Sequence, residues 1–121
     1  MAARPEAYGD DVRCGVAEGV RTPAVEYLRA LGSVERARRD ARLDVDVLAC
    51  PATPIPPPPL EAPDDVGLAG RFTRPFNLLD WPAIVVPCGT PAVPAGLQLA
   101  APAGREAAVF AVAAAVETAR A

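Results

Sequence analysis

Apolar residues recur at helical spacing in three parts of the chain and crowd at strand-like density in three others. After Gly104, the residues Val109, Phe110, Val112, Ala113 and Val116 gather on one side and Glu106, Glu117 and Arg120 on the other. That pattern predicts a closing helix with the five apolar residues inward. Behind Thr22-Pro23, a good N-cap followed by a residue preorganised for the first helical position, Val25, Leu28 and Leu31 repeat at helical spacing. Gly32-Ser33 either ends that helix and caps a second one carrying Val34, Ala37 and Ala41, or is spanned by a single long helix. Asp10 to Val20 also has helical polarity, although Gly15 and Gly19 each weaken it by about 1 kcal/mol relative to Ala.

Asp44 to Cys50 is rich in Val and Leu and is stopped by Pro51, which predicts a short buried strand. Ala83 to Pro87 and Ala95 to Ala101 read as two more strands, joined by a Gly-Pro loop into a hairpin. Between the first strand and the hairpin, seven of the thirteen residues from Pro51 to Pro63 are proline, so the chain there runs as extended polyproline II. Pro54-x-x-Pro57 and Pro56-x-x-Pro59 have the spacing of ligands for a polyproline-binding groove. No basic residue flanks them, whereas Glu61, Asp64 and Asp65 do, which favours a rigid surface connector. A short helix is expected from about Asp64 to Phe72, with Pro75 breaking the chain before a turn at Asn77 to Trp81.

Composition narrows the chemistry. Half of the 121 residues are apolar, but Ala and Val dominate and aromatics are scarce, so any core is built from small side chains. All twelve basic residues are Arg, there is no His, and Ser33 is the only serine. A Ser or Cys nucleophile needs a neighbouring base to take its proton, and a guanidinium stays protonated. Ser-His-Asp, Cys-His and Ser-Ser-Lys chemistry therefore cannot be assembled from this chain, and no catalytic residue is assigned. The net charge of -3 gives no basic footprint for nucleic acid. Arg36, Arg38, Arg39 and Arg42 cluster, but Glu35 precedes Arg39 by four residues and Asp40 interrupts the run, which reads as a solvated helix face.

Cys14, Cys50 and Cys88 are odd in number and widely spaced, which predicts free thiols in a reducing, cytoplasmic setting, with Cys50 and Cys88 as small buried hydrophobes at strand ends. No metal or cofactor is expected. No run of eighteen apolar residues is present, and MAARPEAYGDD reads as no signal peptide, so no membrane partner is expected.

The stretch from Arg71 to Leu99 carries Pro75-Phe76-Asn77-Leu78, Trp81-Pro82-Ala83, Ile84-Val85-Val86-Pro87-Cys88-Gly89 and Pro94-Ala95-Gly96-Leu97-Gln98-Leu99. It resembles the closing part of the amidase-signature enzymes, serine hydrolases that cleave carboxylic amides with a Ser, a second Ser on a cis peptide, and a Lys. Asp44 to Pro54 resembles the same family's preceding strand and Pro-Thr loop, and Tyr27-Leu28-Arg29-Ala30 its preceding helix, so nearly the whole chain is covered. Asp80 stands where the family pattern usually has Gly, a place an Asp can occupy in left-handed geometry at modest cost. Ala92-Val93-Pro94 stands where Gly-Leu-Pro is usual.

The resemblance implies an α/β fold class: a C-terminal fragment of an amidase-signature α/β/α fold with a mixed sheet, about three strands and three to four helices. It divides the chain into a helical part, 1–43, a strand and Pro-rich loop, 44–63, and a short helix, hairpin and C-terminal helix, 64–121. The function implied is that of a C-terminal portion of an amidase-like hydrolase that lacks the catalytic region and is inactive alone. Its partners would be an amidase N-terminal half or a second copy of itself, and a small amide would be substrate only of a complete enzyme. Gly70 and Arg71 stand where tRNA-dependent amidotransferase subunits place an Asp, which points to a stand-alone amidase lineage. Asn77 and Trp81 are the candidate substrate-binding residues: an amide orienting backbone beside the cleft, and a ring lining its wall. Against these stand a turn-satisfying amide and a core ring. A non-catalytic binding or assembly module, and one half of a split amidase, remain open as alternatives.

Overall fold

The computed structural model of the chain describes residues 4–59, 66–90 and 92–120. After a single 3-10 turn at Pro5–Ala7 come α1 (Asp10–Arg21), α2 (Ala24–Asp40), β1 (Leu48–Pro51), α3 (Val66–Ala69), α4 (Arg74–Leu79), β2 (Ala83–Pro87), β3 (Gly96–Ala100) and α5 (Glu106–Arg120). The chain is α/β, and its described residues form three helices of three turns or more and two short ones. Its contacts divide it into two compact units, Met1–Arg36 and Ala37–Ala121.

The first unit holds α1 and most of α2. Helix α1 forms despite Gly15 and Gly19, with Arg13 paired to Asp10 one turn away. Thr22 does not cap α2. Its backbone N–H donates to the Gly19 carbonyl and its hydroxyl to the Glu18 carbonyl, so it closes α1, and the Pro23 carbonyl opens α2 by accepting from Glu26 and Tyr27. Helix α2 runs unbroken through Gly32-Ser33, because the Ser33 hydroxyl donates back to the Arg29 carbonyl instead of capping a new helix. Val25, Leu28 and Leu31 lie at helical spacing as predicted, yet all three are exposed and no residue of α2 is buried.

The second unit is built on the sheet, in the order β1-β3-β2 with both pairings antiparallel. Strands β2 and β3 form the expected hairpin. Gly89 allows its loop to close, since a Cβ there would collide with the Val93 carbonyl oxygen. Alternation along the strands sends Ile84, Val86, Leu97 and Leu99 to one face. There Val86, Leu99 and Ala101 pack with Val109 and Ala113 of α5, and Val47 and Val116 close the margins. Burying each Val or Leu contributes about 1.5–3 kcal/mol.

Three expectations change here. Strand β1 begins at Leu48, not Asp44, includes Pro51, and is half-buried to exposed in alternation. As an edge strand it needs no donor from Pro51 on its outer side, so proline is tolerated. Pro75 does not break the chain but sits in the first turn of α4, where its missing N–H has no partner to lose. In α5 only Val109, Ala113 and Val116 form the inward stripe, at positions i, i+4 and i+7. Phe110 and Val112 lie on its flanks and are exposed. The described part of the Pro-rich segment, 51–59, carries no regular helix or strand beyond Pro51, and Asp64 and Asp65 of the expected short helix lie outside the described residues.

Candidate functional site

The two candidate residues bracket the turn that leads from α4 into β2. Thr73 precedes α4 and Asp80 ends it with φ 56° and ψ 33°, the left-handed geometry expected of it. The Asp80 N–H turns back toward the Asn77 and Phe76 carbonyls, and the Trp81 N–H donates to the Phe76 carbonyl at 3.0 Å. That hairpin of backbone brings the Trp81 ring over Phe76, with centroids 6.4 Å apart and planes 29° apart. Phe76 is buried and Trp81 half-buried, so the stack anchors one end of the turn in the apolar interior. Asn77 is exposed on α4, one residue after Phe76, and its backbone N–H reaches the Thr73 carbonyl.

Two residues without a sequence-assigned role help to position this segment. Gln98, in the centre of β3, is 2% exposed, the one buried polar residue among those described. Its amide nitrogen donates to the Phe72 carbonyl at 3.1 Å and lies 3.5 Å from the Cys50 sulfur, joining β1, β3 and the chain entering α4. A lone amide inside the apolar run Leu97-Gln98-Leu99 is the signal by which a sequence could reveal it. The other is Arg38, whose guanidinium reaches both Leu78 and Asp80. Nothing in the Arg-rich run singles it out.

On the sheet face opposite α5, an apolar cleft of about 470 Å³ opens between Val85, Pro87 and Gly96 and the proline-rich loop Ile55 to Pro58. Gly96 is required there, because a Cβ would meet Val85 at 2.6 Å and Ala52 at 3.1 Å. Neither Asn77 nor Trp81 lines this cleft. The structure therefore places the two candidates at the two ends of one turn, and neither in the cleft.

Ser33 is exposed and accepts from the Arg36 guanidinium at 2.9 Å, a neighbour that cannot take its proton. Among the described residues no group of three or more His, Cys, Asp or Glu is placed to hold a metal ion. Nor is any described helix long and apolar enough to cross a membrane. All three cysteines are free, as expected, but Cys14 and Cys88 are exposed and only Cys50 is half-buried, which corrects the expectation of buried thiols. The reason is local: Cys14 is on a helix with no buried residue among those described, and Cys88 follows the last residue of β2, beyond the reach of the core.

The model of the amidase family matches residues 2–110. A glutamyl-tRNA(Gln) amidotransferase subunit from Halobacterium salinarum is 35% identical over 95% of this chain and 30% of its own length. The subunit of the same name from Salinispora arenicola is 36% identical over 98% of the chain and 27% of its length. The amidase AmiA2 of Mycobacterium tuberculosis is 39% identical over 60% of the chain and 17% of its length. A crystal structure of an amidase superposes with a TM-score of 0.83 at 27% identity, covering 94% of this chain and 29% of that one. The chain thus spans about three tenths of the length of the curated relatives it matches.

Proposed function

We propose that this chain, which belongs to the amidase family, is the C-terminal portion of an amidase-like hydrolase and acts on carboxylic amide C–N bonds only beside a catalytic half that it does not contain. The observation that carries this reading is the inventory of side chains: no Lys, no His and a single Ser, bonded to an Arg. In a complete enzyme of the kind it resembles, a Ser attacks the amide carbonyl while a second Ser relays its proton to Lys. Backbone N–H groups hold the oxyanion, each worth about 3 kcal/mol. The part assigned to this chain is structural: a portion of the sheet and, through Asn77 and Trp81, a section of the substrate wall. The three free cysteines suit a reducing, cytoplasmic setting.

Gly70 and Arg71 support a stand-alone amidase. The amidotransferase subunits that match most of the chain favour the other reading, a component that works within an assembly. In both readings the catalytic half lies outside these 121 residues. The test is amide hydrolysis by the purified chain, alone and with an amidase catalytic half added in trans. The chain alone is expected to match buffer with aliphatic and aryl amides, and activity is expected on complementation, with Trp81→Ala raising KM in the complemented enzyme. Turnover by the chain alone that disappears in Ser33→Ala would overturn the reading.

A further inference from the structure

We infer that Arg38 is a positioning residue that grips the α4–β2 turn at two points and so sets where Asn77 and Trp81 stand; its functional meaning rests on the substrate-wall reading of those two residues. The turn needs such a grip. Helix α4 has only six residues, too few to be stable by itself, and the last carbonyls of any helix lack intrahelical donors. It ends on a left-handed Asp80, a conformation in which the Cβ of an L-residue crowds the following carbonyl oxygen, though Asp tolerates it better than most.

Arg38, forty residues earlier in the chain, meets both needs. Its Nε donates to the Leu78 carbonyl at 2.7 Å, and a terminal nitrogen of the same guanidinium lies 2.7 Å from an Asp80 carboxylate oxygen. The first contact sits at the negative end of the helix and the second on the residue that reverses the backbone. Because the guanidinium is planar and rigid, moving the turn about one contact breaks the other, a constraint that the point charge of a Lys does not impose. Both side chains are partly exposed, so the attraction itself is small and the geometry carries the effect. The neighbouring arginines do different work: Arg36 bonds Ser33, and Arg42, just past the end of α2, bonds the carbonyls of Arg39 and Ala41. Trp81 follows Asp80 directly and is pinned on its other side by the Phe76 stack, so loss of the grip is felt at the Trp81 ring.

Trp81 is the only tryptophan of the chain, and its fluorescence reports on the turn without any substrate. Acrylamide quenching of Trp81 is to be compared in the wild type, Arg38→Ala, Arg38→Lys, Asp80→Gly and the Arg38→Ala/Asp80→Gly double variant, with circular dichroism as the check on folding. The expected result is a quenching constant raised by about a factor of two in Arg38→Ala, as local opening exposes the ring, and incomplete restoration in Arg38→Lys. Asp80→Gly should raise it too, and the double variant should add little to either single change, the mark of one shared interaction. Unchanged quenching in Arg38→Ala with helicity intact would overturn the inference. So would a rise seen only together with general loss of helicity, since Arg38 would then support the fold at large and not this turn. Failure of either kind leaves the substrate-wall reading to its own test in the complemented enzyme.

Discussion

The two units of this chain use apolar residues in opposite ways. In Ala37–Ala121, alternation along β2 and β3 and a narrow stripe on α5 converge on one core, and Val86, Leu99, Ala101, Val109 and Ala113 are all at most 3% exposed. In Met1–Arg36 the apolar content is comparable, yet no described residue is buried, and Val12, Val16, Val20, Val25, Tyr27, Leu28 and Leu31 are all exposed. Helices α1 and α2 rest on backbone hydrogen bonds and local side-chain contacts such as Arg13–Asp10. Amphipathicity shows that a helix has a face to bury, but something must lie opposite that face before burial stabilises it.

The largest test of this contrast is a pair of equal truncations. Leu99→Ala should destabilise the chain by about 2–5 kcal/mol, because the cavity forms in a packed core. Leu28→Ala should change stability by no more than about 0.5 kcal/mol, as surface substitutions do. Denaturant melts followed by circular dichroism measure both, and similar costs at the two sites would erase the distinction. Hydrogen exchange sharpens it residue by residue: amides of β3 should be protected well beyond those of α1, and equal protection would mean that α1 folds as one unit with the sheet.

Within α5 the same contrast appears one residue apart. Val109→Ala should cost about 2 kcal/mol, as two methylene equivalents of buried surface and a small cavity are involved. Phe110→Ala, on an exposed flank, should stay within about 0.5 kcal/mol despite its larger volume. The smallest effect is one of rate: Cys14 and Cys88 should react promptly with a thiol reagent in the native chain, and Cys50, half-buried against Gln98, more slowly. Slow labelling of Cys14 would show its helix to be covered, by a second copy or another chain.

Much of the second unit is legible in the sequence. The hairpin strands and the extent of α5 follow from local rules, the period-two and period-3.6 patterns, and the left-handed Asp80 from the resemblance, which puts Asp where the family usually has Gly, together with the tolerance of Asp for positive φ. The departures have a common origin. Pro51 reads as a stop because the edge position of β1 is a property of the sheet, and Pro75 as a break because a helix N-terminus and a chain break favour the same residue. Phe110 reads as inward because hydrophobicity is visible in a sequence, whereas the width of the surface that receives a helix is not.

The sequence by itself determined the periodic elements, the absence of any His or Lys to serve as base for a serine or cysteine nucleophile, and the family resemblance, because each depends on residue identity and near-neighbour spacing. Only the tertiary structure decided which apolar faces are covered, that Gln98 bridges three segments, and that Arg38 among its neighbouring arginines reaches Leu78 and Asp80. Those depend on contacts between residues tens of positions apart, and a guanidinium on a helix surface carries no local mark of the carbonyl and carboxylate that the fold brings to meet it.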